Sequence, residues 1–143
     1  MAEPPPPLTL PDLSLDHASR FLAAVGLTIT QAGPDRVTGR IDLGPEHHTP
    51  WGVVHGGVYT AAVETAASIG ASAAVAGRGQ IAVGVHNATD FLRSATEGRA
   101  RVVAEPIQQG RTQQLWQVII TRESDGKELA RGQLRLQNVA PPA

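Results

Sequence analysis

The chain has 143 residues and a formal net charge of −1, with 41% hydrophobic, 17% charged and 3% aromatic residues. This length favours one domain with its own core, and the near-neutral charge gives no electrostatic basis for binding nucleic acid or an anionic membrane. The absence of cysteine excludes disulfides, zinc–thiolate sites and cysteine nucleophiles.

The first residues favour a cytoplasmic protein. They lack the basic and apolar regions of a signal peptide, and no apolar run approaches the ~20 residues of a membrane span. Four consecutive prolines at 4–7 predict a disordered, extended lead-in over residues 1–12. A single domain is predicted over 13–138, with a tail over 139–143.

The first half of the domain is predicted to hold two helices and two strands. Apolar residues at helical spacing predict a helix over 14–25, which Gly26 ends. Alternating residues predict strands over 27–30 and 37–43, joined by a turn at 33–35. A loop over 44–54 then leads into a long helix from about 57 to 75, whose lack of a polar stripe indicates that it is covered nearly all round.

The second half is predicted to be a four-stranded antiparallel meander, with hairpin turns at Gly98, Gly110 and Asp125-Gly126. Its strands are expected over 81–92, 99–108, 112–122 and 128–137. The fold class is therefore α+β, with a curved antiparallel sheet of five to six strands wrapped around one central helix. Since such a sheet leaves edges and a face open, we expect a homodimer.

The start of the long helix carries the strongest indication of chemistry. His55-Gly56-Gly57 stands where a loop becomes a helix, and Glu64 follows within an alanine-rich stretch. Unpaired N–H groups at a helix start can hold an oxyanion, and a carboxylate in apolar surroundings can act as base or nucleophile. The alternative for Glu64 is a structural carboxylate, held by the backbone or by Ser68.

These residues resemble a known family. The run Trp51-Gly52-Val53-Val54-His55-Gly56-Gly57-Val58-Tyr59 with Glu64, Asp90-Phe91-Leu92-Arg93-Ser94 with Gly98, and Gly110-Arg111-Thr112-Gln113-Gln114-Leu115-Trp116 are similar to the hot-dog-fold acyl-CoA thioesterases. The likeness covers roughly 44–137. It points to the branch of phenylacetic-acid-degradation, Arthrobacter-type 4-hydroxybenzoyl-CoA and 1,4-dihydroxy-2-naphthoyl-CoA thioesterases.

The resemblance implies an acyl-CoA thioesterase that releases an aromatic or medium acyl group as free acid. The Gly56 N–H would polarise the thioester carbonyl, and Glu64 would be the nucleophile or general base. His55 would shape the oxyanion loop or simply cap it. Ser68, one helical turn after Glu64, could hold the attacking water or orient the carboxylate.

Further positions are implied for the substrate. Gly57 and Ser94 belong to the matched motifs, while Arg93 and Arg111 could bind the phosphates of CoA because guanidinium matches phosphate geometry. Thr49 stands where the family branch usually has Gln or Asn as a second donor. Thr49 is therefore a candidate substrate-binding residue, although its hydroxyl is shorter, and His48 beside it or a water is the alternative donor.

Helix geometry adds a constraint. Eight residues of helix separate Gly56 from Glu64 by ~12 Å, which is too far for one carbonyl to contact both in the same subunit. The site is therefore expected to be shared across a dimer, or a dimer of dimers.

Other classes of function are less favoured by the sequence. His47, His48 and His86 lack a further ligand at metal-binding spacing, so no metal is expected, and CoA enters as part of the substrate rather than as a cofactor. No Gly-x-Ser-x-Gly elbow is present for a serine hydrolase. The open alternative is a non-catalytic acyl-CoA-binding or sensing protein on the same fold.

Overall fold

The computed structural model describes residues 3–142 and consists of one curved sheet around one long helix. The helices are α1 (Arg20–Val25) and α2 (Gly56–Val75). The strands are β1 (Leu27–Gly33), β2 (Arg36–Leu43), β3 (Ile81–Phe91), β4 (Gly98–Gln109), β5 (Gln113–Arg122) and β6 (Glu128–Val139). The predicted α+β class and the central helix are confirmed.

The sheet is antiparallel and six-stranded, in the order β1-β2-β4-β5-β6-β3. The predicted four-stranded meander is wrong, because β3 pairs with β6 rather than with β4, and β4 pairs with β2. Gly98 therefore ends a connection between distant strands rather than a hairpin, whereas Gly110 and Asp125-Gly126 do lie in hairpins. Alternation of side chains defines a strand and its faces, but not its partner.

The predicted helix over 14–25 is broken in the structure. A single 3-10 turn at Leu15–His17 precedes α1, and the hydroxyl of Ser19 accepts a hydrogen bond from the Leu22 N–H. A serine in that position caps a new helix, because its oxygen satisfies an otherwise unpaired donor of the first turn.

Small side chains on α2 allow the sheet to approach closely. Ala62, Ala66 and Ala67 are buried, and Gly70 lies under Trp116, where an added Cβ would come within 2.4 Å of the indole. Trp116 is fully buried and donates its indole N–H to Gln114. Trp116, the last residue of the third motif matched in the sequence, is therefore a core residue.

The helix runs antiparallel to β3 along its whole length. Gly56 lies against Phe91, and the amide of Asn87 donates to the Thr60 carbonyl. Ser72 hydrogen-bonds the Ala82 backbone at the other end. The middle of β3 therefore lies beside the middle of α2, where Glu64 projects.

The first described residues lie on the domain without forming helix or strand. The Leu8 N–H donates to the Ala76 carbonyl at 2.7 Å, just after α2 ends. Pro5 and Pro6 lie against Gly79, where an added Cβ would come within 2.6 Å of the Pro6 carbonyl oxygen. Within residues 3–142 there is no helix of sufficient length and apolarity to cross a membrane.

Candidate functional site

Glu64 lies where two cavities meet on the surface of α2. The first, which we call the histidine cavity, has a volume of about 670 Å³. It is lined by Phe21, Ala24, Val25, Glu46, His47, His48, His55, Gly57, Val58, Thr60, Ala61, Glu64 and Thr65. The second, which we call the leader slot, has about 490 Å³ and shares Glu64 and Thr65 with the first. Its other lining residues are Leu8, Thr9, Leu10, Pro11, Asp12, Leu13, Leu15, Ala18, Leu22, Ser68, Ile69, Ser72, Ala76, Gln80, Ile81 and Ala82.

The carboxylate itself is exposed in the single chain. An added Cβ at Gly84 would lie 3.7 Å from the Glu64 carboxyl carbon, so the side chain extends over the middle of β3. No hydrogen bond or ion pair to Glu64 is found among residues 3–142. The structural alternative for this carboxylate therefore has no support from the described contacts.

The two glycines at the start of α2 face different surroundings. The Gly57 N–H donates to Nδ1 of His55 at 2.7 Å, and both residues line the histidine cavity. Gly56 instead lines a smaller pocket of about 250 Å³, together with Tyr59, Phe91, Arg93, Ser94 and neighbours. In the described chain the Gly56 N–H makes no hydrogen bond, which leaves it available as a donor.

His55 caps the start of α2. A capping role was one of the two roles that the sequence suggested for this residue. Because its Nδ1 accepts from Gly57, the ring proton of the neutral imidazole is on Nε2. The backbone N–H of His55 donates to the His47 carbonyl and ties this corner to the preceding loop. Because the cap occupies Nδ1, the Nε2–H of His55 is the ring's donor at the cavity that contains Glu64.

The other two histidines of the loop are held in place by the backbone. His47 is buried, with its Nδ1 accepting from the Gly44 N–H and its Nε2 donating to the Val25 carbonyl. His48 donates Nε2–H to the Thr96 carbonyl at 2.7 Å. Both rings thus have backbone partners, and residues 3–142 contain no cluster of side chains suited to a metal ion.

Thr49 is used by its own loop. Its hydroxyl accepts from the Trp51 N–H at 3.2 Å, and its carbonyl accepts from the Gly52 N–H. His48, not Thr49, lines the histidine cavity with Glu64. The Gln or Asn position of the resembled branch therefore carries a turn residue here.

The remaining predicted residues are distributed over the surface. Ser68 shares the leader slot with Glu64. Arg93 and Ser94 lie near Gly56, because all three line the smaller pocket. The Arg93 guanidinium donates to the Glu128 carbonyl, and the Ser94 carbonyl accepts from Arg122. Arg111 is exposed on the β4–β5 hairpin, whose backbone is bonded to Asn138, at the other end of the molecule.

Tyr59, the last residue of the matched run 51–59, is a polar residue beside Gly56 to which the sequence assigned no catalytic role. Its side chain is 2% exposed, its hydroxyl has no partner among the described residues, and its ring lies 6.3 Å from that of Phe91. Burial raises the pKa of the Tyr59 phenol above its ordinary value, against a smaller opposing effect of Arg122. The phenol therefore stays neutral at physiological pH.

Comparison with known proteins places this architecture in a class. The solved structure of Mycobacterium tuberculosis Rv1847, provisionally named an esterase, superposes with a TM-score of 0.82 at 43% identity, covering 87% of this chain and all of that one. The structure of AziG from S. sahachiroi superposes with a TM-score of 0.79 at 36% identity, covering 85% of this chain and 97% of the AziG chain. The structure of the thioesterase HI1161 from Haemophilus influenzae superposes with a TM-score of 0.77 at 27% identity, covering 93% of this chain and 95% of the HI1161 chain. The fold is that of the hot-dog thioesterases.

The family assignment follows from the sequence match. The Thioesterase superfamily model matches residues 52–129, which include α2 with Glu64 and the strands β3, β4 and β5. Rv1847 of M. tuberculosis is 46% identical over 121 residues, 83% of this chain and 86% of that protein. This chain belongs to the thioesterase superfamily, and a hydrolase function follows in broad terms.

Proposed function

We propose that the chain is an acyl-CoA thioesterase whose active site is shared by two subunits. The observation that carries this proposal is the position of Glu64, an exposed carboxylate without a partner in the described chain, at the junction of two cavities on α2. The thioester carbonyl would accept from the Gly56 N–H of one subunit, and Glu64 of the partner subunit would attack the carbonyl carbon or activate a water.

The chemistry needs only these two groups. A water deprotonated by Glu64 adds to the thioester carbon, and the oxyanion that forms is stabilised by the Gly56 N–H until CoA leaves as the thiolate. Direct attack by Glu64 would give an anhydride that water then hydrolyses. No cofactor is required, because CoA belongs to the substrate.

The shared site is supported by two features of one chain. Gly56 and Glu64 line different cavities, so a single carbonyl does not reach both within the subunit. The edge strand β3 has β6 as its one partner strand and exposes Val83 and Val85 at its middle. An antiparallel pair of β3 strands would extend the sheet and bring the two helices side by side.

The substrate class follows the resembled branch, with an aromatic or medium acyl group on CoA. Arg93 lies beside Gly56 and is a candidate for the CoA phosphates, although its guanidinium also donates to a backbone carbonyl. Arg111 lies at the opposite end of β3 from Arg93, as the contacts of its hairpin with Asn138 show. Antiparallel pairing of β3 would bring Arg111 of the partner subunit towards the end of β3 that holds Arg93.

A Glu64→Gln variant tests the function. Thiol release from a panel of aromatic, short-chain and long-chain acyl-CoAs should fall by at least about 100-fold, because Gln can neither accept the proton nor attack. Glu105→Gln is the matched control, since that carboxylate is exposed on β4 and pairs with Arg36. Equal turnover by the Glu64→Gln variant and the wild type would contradict the proposal.

The second candidate is a non-catalytic acyl-CoA binder. It is favoured by one observation, that Thr49, at the position of the usual second donor, does not line the histidine cavity that contains Glu64. Saturable binding of acyl-CoA by the wild type, without thiol release from any thioester, would identify it.

A further inference from the structure

The leader slot is a long cavity that begins at Glu64 and extends along α2. Its floor comprises residues of α2 on one face, from Glu64 through Ser68 and Ser72 to Ala76 just beyond its end. Those twelve residues of helix correspond to a length of ~18 Å. A cavity of this length would leave most of its volume empty if it held a single ring.

The roof of the slot is the segment that the sequence predicted as a disordered lead-in. Leu8, Leu10 and Leu13 are each half-buried and line the slot, while Pro7 and Pro11 are exposed. The Leu8 N–H anchors this segment to the Ala76 carbonyl at the far end of the slot. Leu15 and Leu22 complete the roof at the end nearer to α1.

The two cavities at Glu64 differ in their ionisable and aliphatic side chains. Three histidines and Glu46 line the histidine cavity beside smaller apolar residues, whereas the leader slot has five leucines with Ile69, Ile81 and Ala82. Its polar lining comes from Asp12 and from Thr9, Ser68, Ser72 and Gln80, and Asp12 and Glu64 are its two acidic residues. Apolar acyl chains are stabilised by such a wall in proportion to the area they bury. The carboxylate at the junction would then face the thioester, with the acyl chain on the slot side.

Resting on the proposed function, we propose that the leader slot binds an unbranched acyl chain and that residues 8–13 set the chain length which the enzyme prefers. The segment acts on specificity, not on the chemical step. A chain that fills the slot between Glu64 and Ala76 is favoured, and a longer one meets the anchored Leu8.

Two substitutions should move the preference in opposite ways. Leu10→Ala removes part of the roof, so kcat/KM should fall at least tenfold for the chain length that the wild type prefers and change less than twofold for acetyl-CoA. Ala76→Leu fills the far end, so the preferred chain should shorten by two or more carbons. Each methylene bound in the wild-type slot should raise kcat/KM by about fourfold.

The experiment is a series of saturated acyl-CoAs from two to sixteen carbons, assayed with the full chain. Ile107→Ala is the matched control, because Ile107 is an exposed aliphatic residue on β4 that does not line the slot. The same chain-length profile in the wild type, Leu10→Ala and Ala76→Leu would overturn the inference while leaving thioester hydrolysis established. That outcome is the one expected of a disordered lead-in.

A binding measurement separates this inference from the proposed function. Titration calorimetry with free decanoate and dodecanoate needs no turnover, and Leu10→Ala should weaken binding at least fivefold relative to Ile107→Ala. The wild type could hydrolyse no thioester and yet bind these acids with that dependence on Leu10. That result would support acyl-chain binding in the leader slot and contradict the thioesterase proposal. Binding that is equal in both variants overturns the slot.

Discussion

At the scale of single residues, the two glycines of the motif are required for different reasons. An added Cβ at Gly57 would lie 2.7 Å from the His55 Nδ1 and would push away the ring that caps the helix. At Gly56 the added Cβ would lie 2.6 Å from the Phe91 ring. Gly57 therefore preserves the cap, and Gly56 preserves a close approach between the helix start and β3.

The Gly56 N–H can be removed without changing the helix otherwise. Proline suits the first position of a helix, and His55 has the extended backbone that proline requires before it. In a Phe91→Ala background, which makes room for the ring, Gly56→Pro should lower kcat at least about 100-fold by deleting one oxyanion donor.

Gly56→Ala in the same Phe91→Ala background is the control, since it adds a Cβ but keeps the N–H. The alanine variant should match the Phe91→Ala parent in kcat, measured by thiol release. Proline and alanine variants of equal activity would show that this N–H does not act on the substrate.

His55 offers a test of its capping role. His55→Ala should lower the free energy of unfolding by about 1 kcal/mol, because the Gly57 N–H loses its acceptor, and His55→Asn should recover most of that loss. Chemical denaturation measures both variants. If asparagine fails to recover stability, the cap contributes little; if it recovers stability but not activity, the imidazole also acts in the site.

At the scale of elements, a buried polar network fixes α2 against the sheet. The Gln114 amide donates to the Ala71 carbonyl and to Asn138, each at 2.9 Å, and its oxygen accepts from Trp116 at 2.8 Å. Asn138 in turn donates to the carbonyls of Gly110 and Arg111. The side chains of Gln114 and Asn138 together thus connect the helix, two strands and a hairpin.

Replacing Gln114 should therefore be costly. Gln114→Leu leaves the Trp116 indole N–H and the Asn138 side-chain oxygen without this partner, and at about 1–3 kcal/mol for each unsatisfied group the loss of stability should reach at least about 2 kcal/mol. Gln113→Leu, on the exposed side of the same strand, is the control and should change the free energy of unfolding by less than about 0.5 kcal/mol. Urea denaturation measures the free energy of unfolding of both variants. Equal losses in the two would contradict a stabilising role for the Gln114 network.

Much of this architecture could be predicted from local patterns, but the pairings could not. Ala130, Gly132, Leu134 and Leu136 alternate along the sequence and do face the core. The partner of β3 is set by contacts with β6, whose paired residues lie 39 (Phe91 to Ala130) to 58 (Ile81 to Val139) positions further along the chain, and nothing local encodes that choice.

The candidate site shows the same division. Motif spacing identified His55, Gly56 and Glu64, whereas their distribution over separate cavities depends on how α2 lies on the sheet. The sequence also did not predict that the first segment lies over α2. The leucines at 8, 10 and 13 could have indicated it, because apolar residues continue past the prolines. The Gln114 network was missed because a glutamine on an alternating strand has no local mark of burial.

At the scale of the whole molecule, the uncovered edge of β3 predicts assembly. Val85 is 55% exposed in the middle of this edge, next to an irregularity in its pairing with β6. Val85→Lys should weaken the dimer, because an edge lysine opposes strand pairing, and should lower activity with it.

Ile107→Lys is the matched control, since Ile107 is 51% exposed on β4. Light scattering coupled to size-exclusion chromatography measures the mass of both variants over a range of concentrations. A Val85→Lys protein that is monomeric and fully active would show that one chain contains a complete site.

The shared site is tested most directly by combining two inactive chains. Glu64→Gln and Gly56→Pro/Phe91→Ala subunits, carrying different affinity tags, are co-expressed and the mixed dimer is purified. One of its two sites would then have Gly56 beside an unchanged Phe91 from one subunit and Glu64 from the other, so thiol release should recover to about half of the wild-type activity per dimer. A mixed dimer as inactive as its parents would contradict a site built from two subunits.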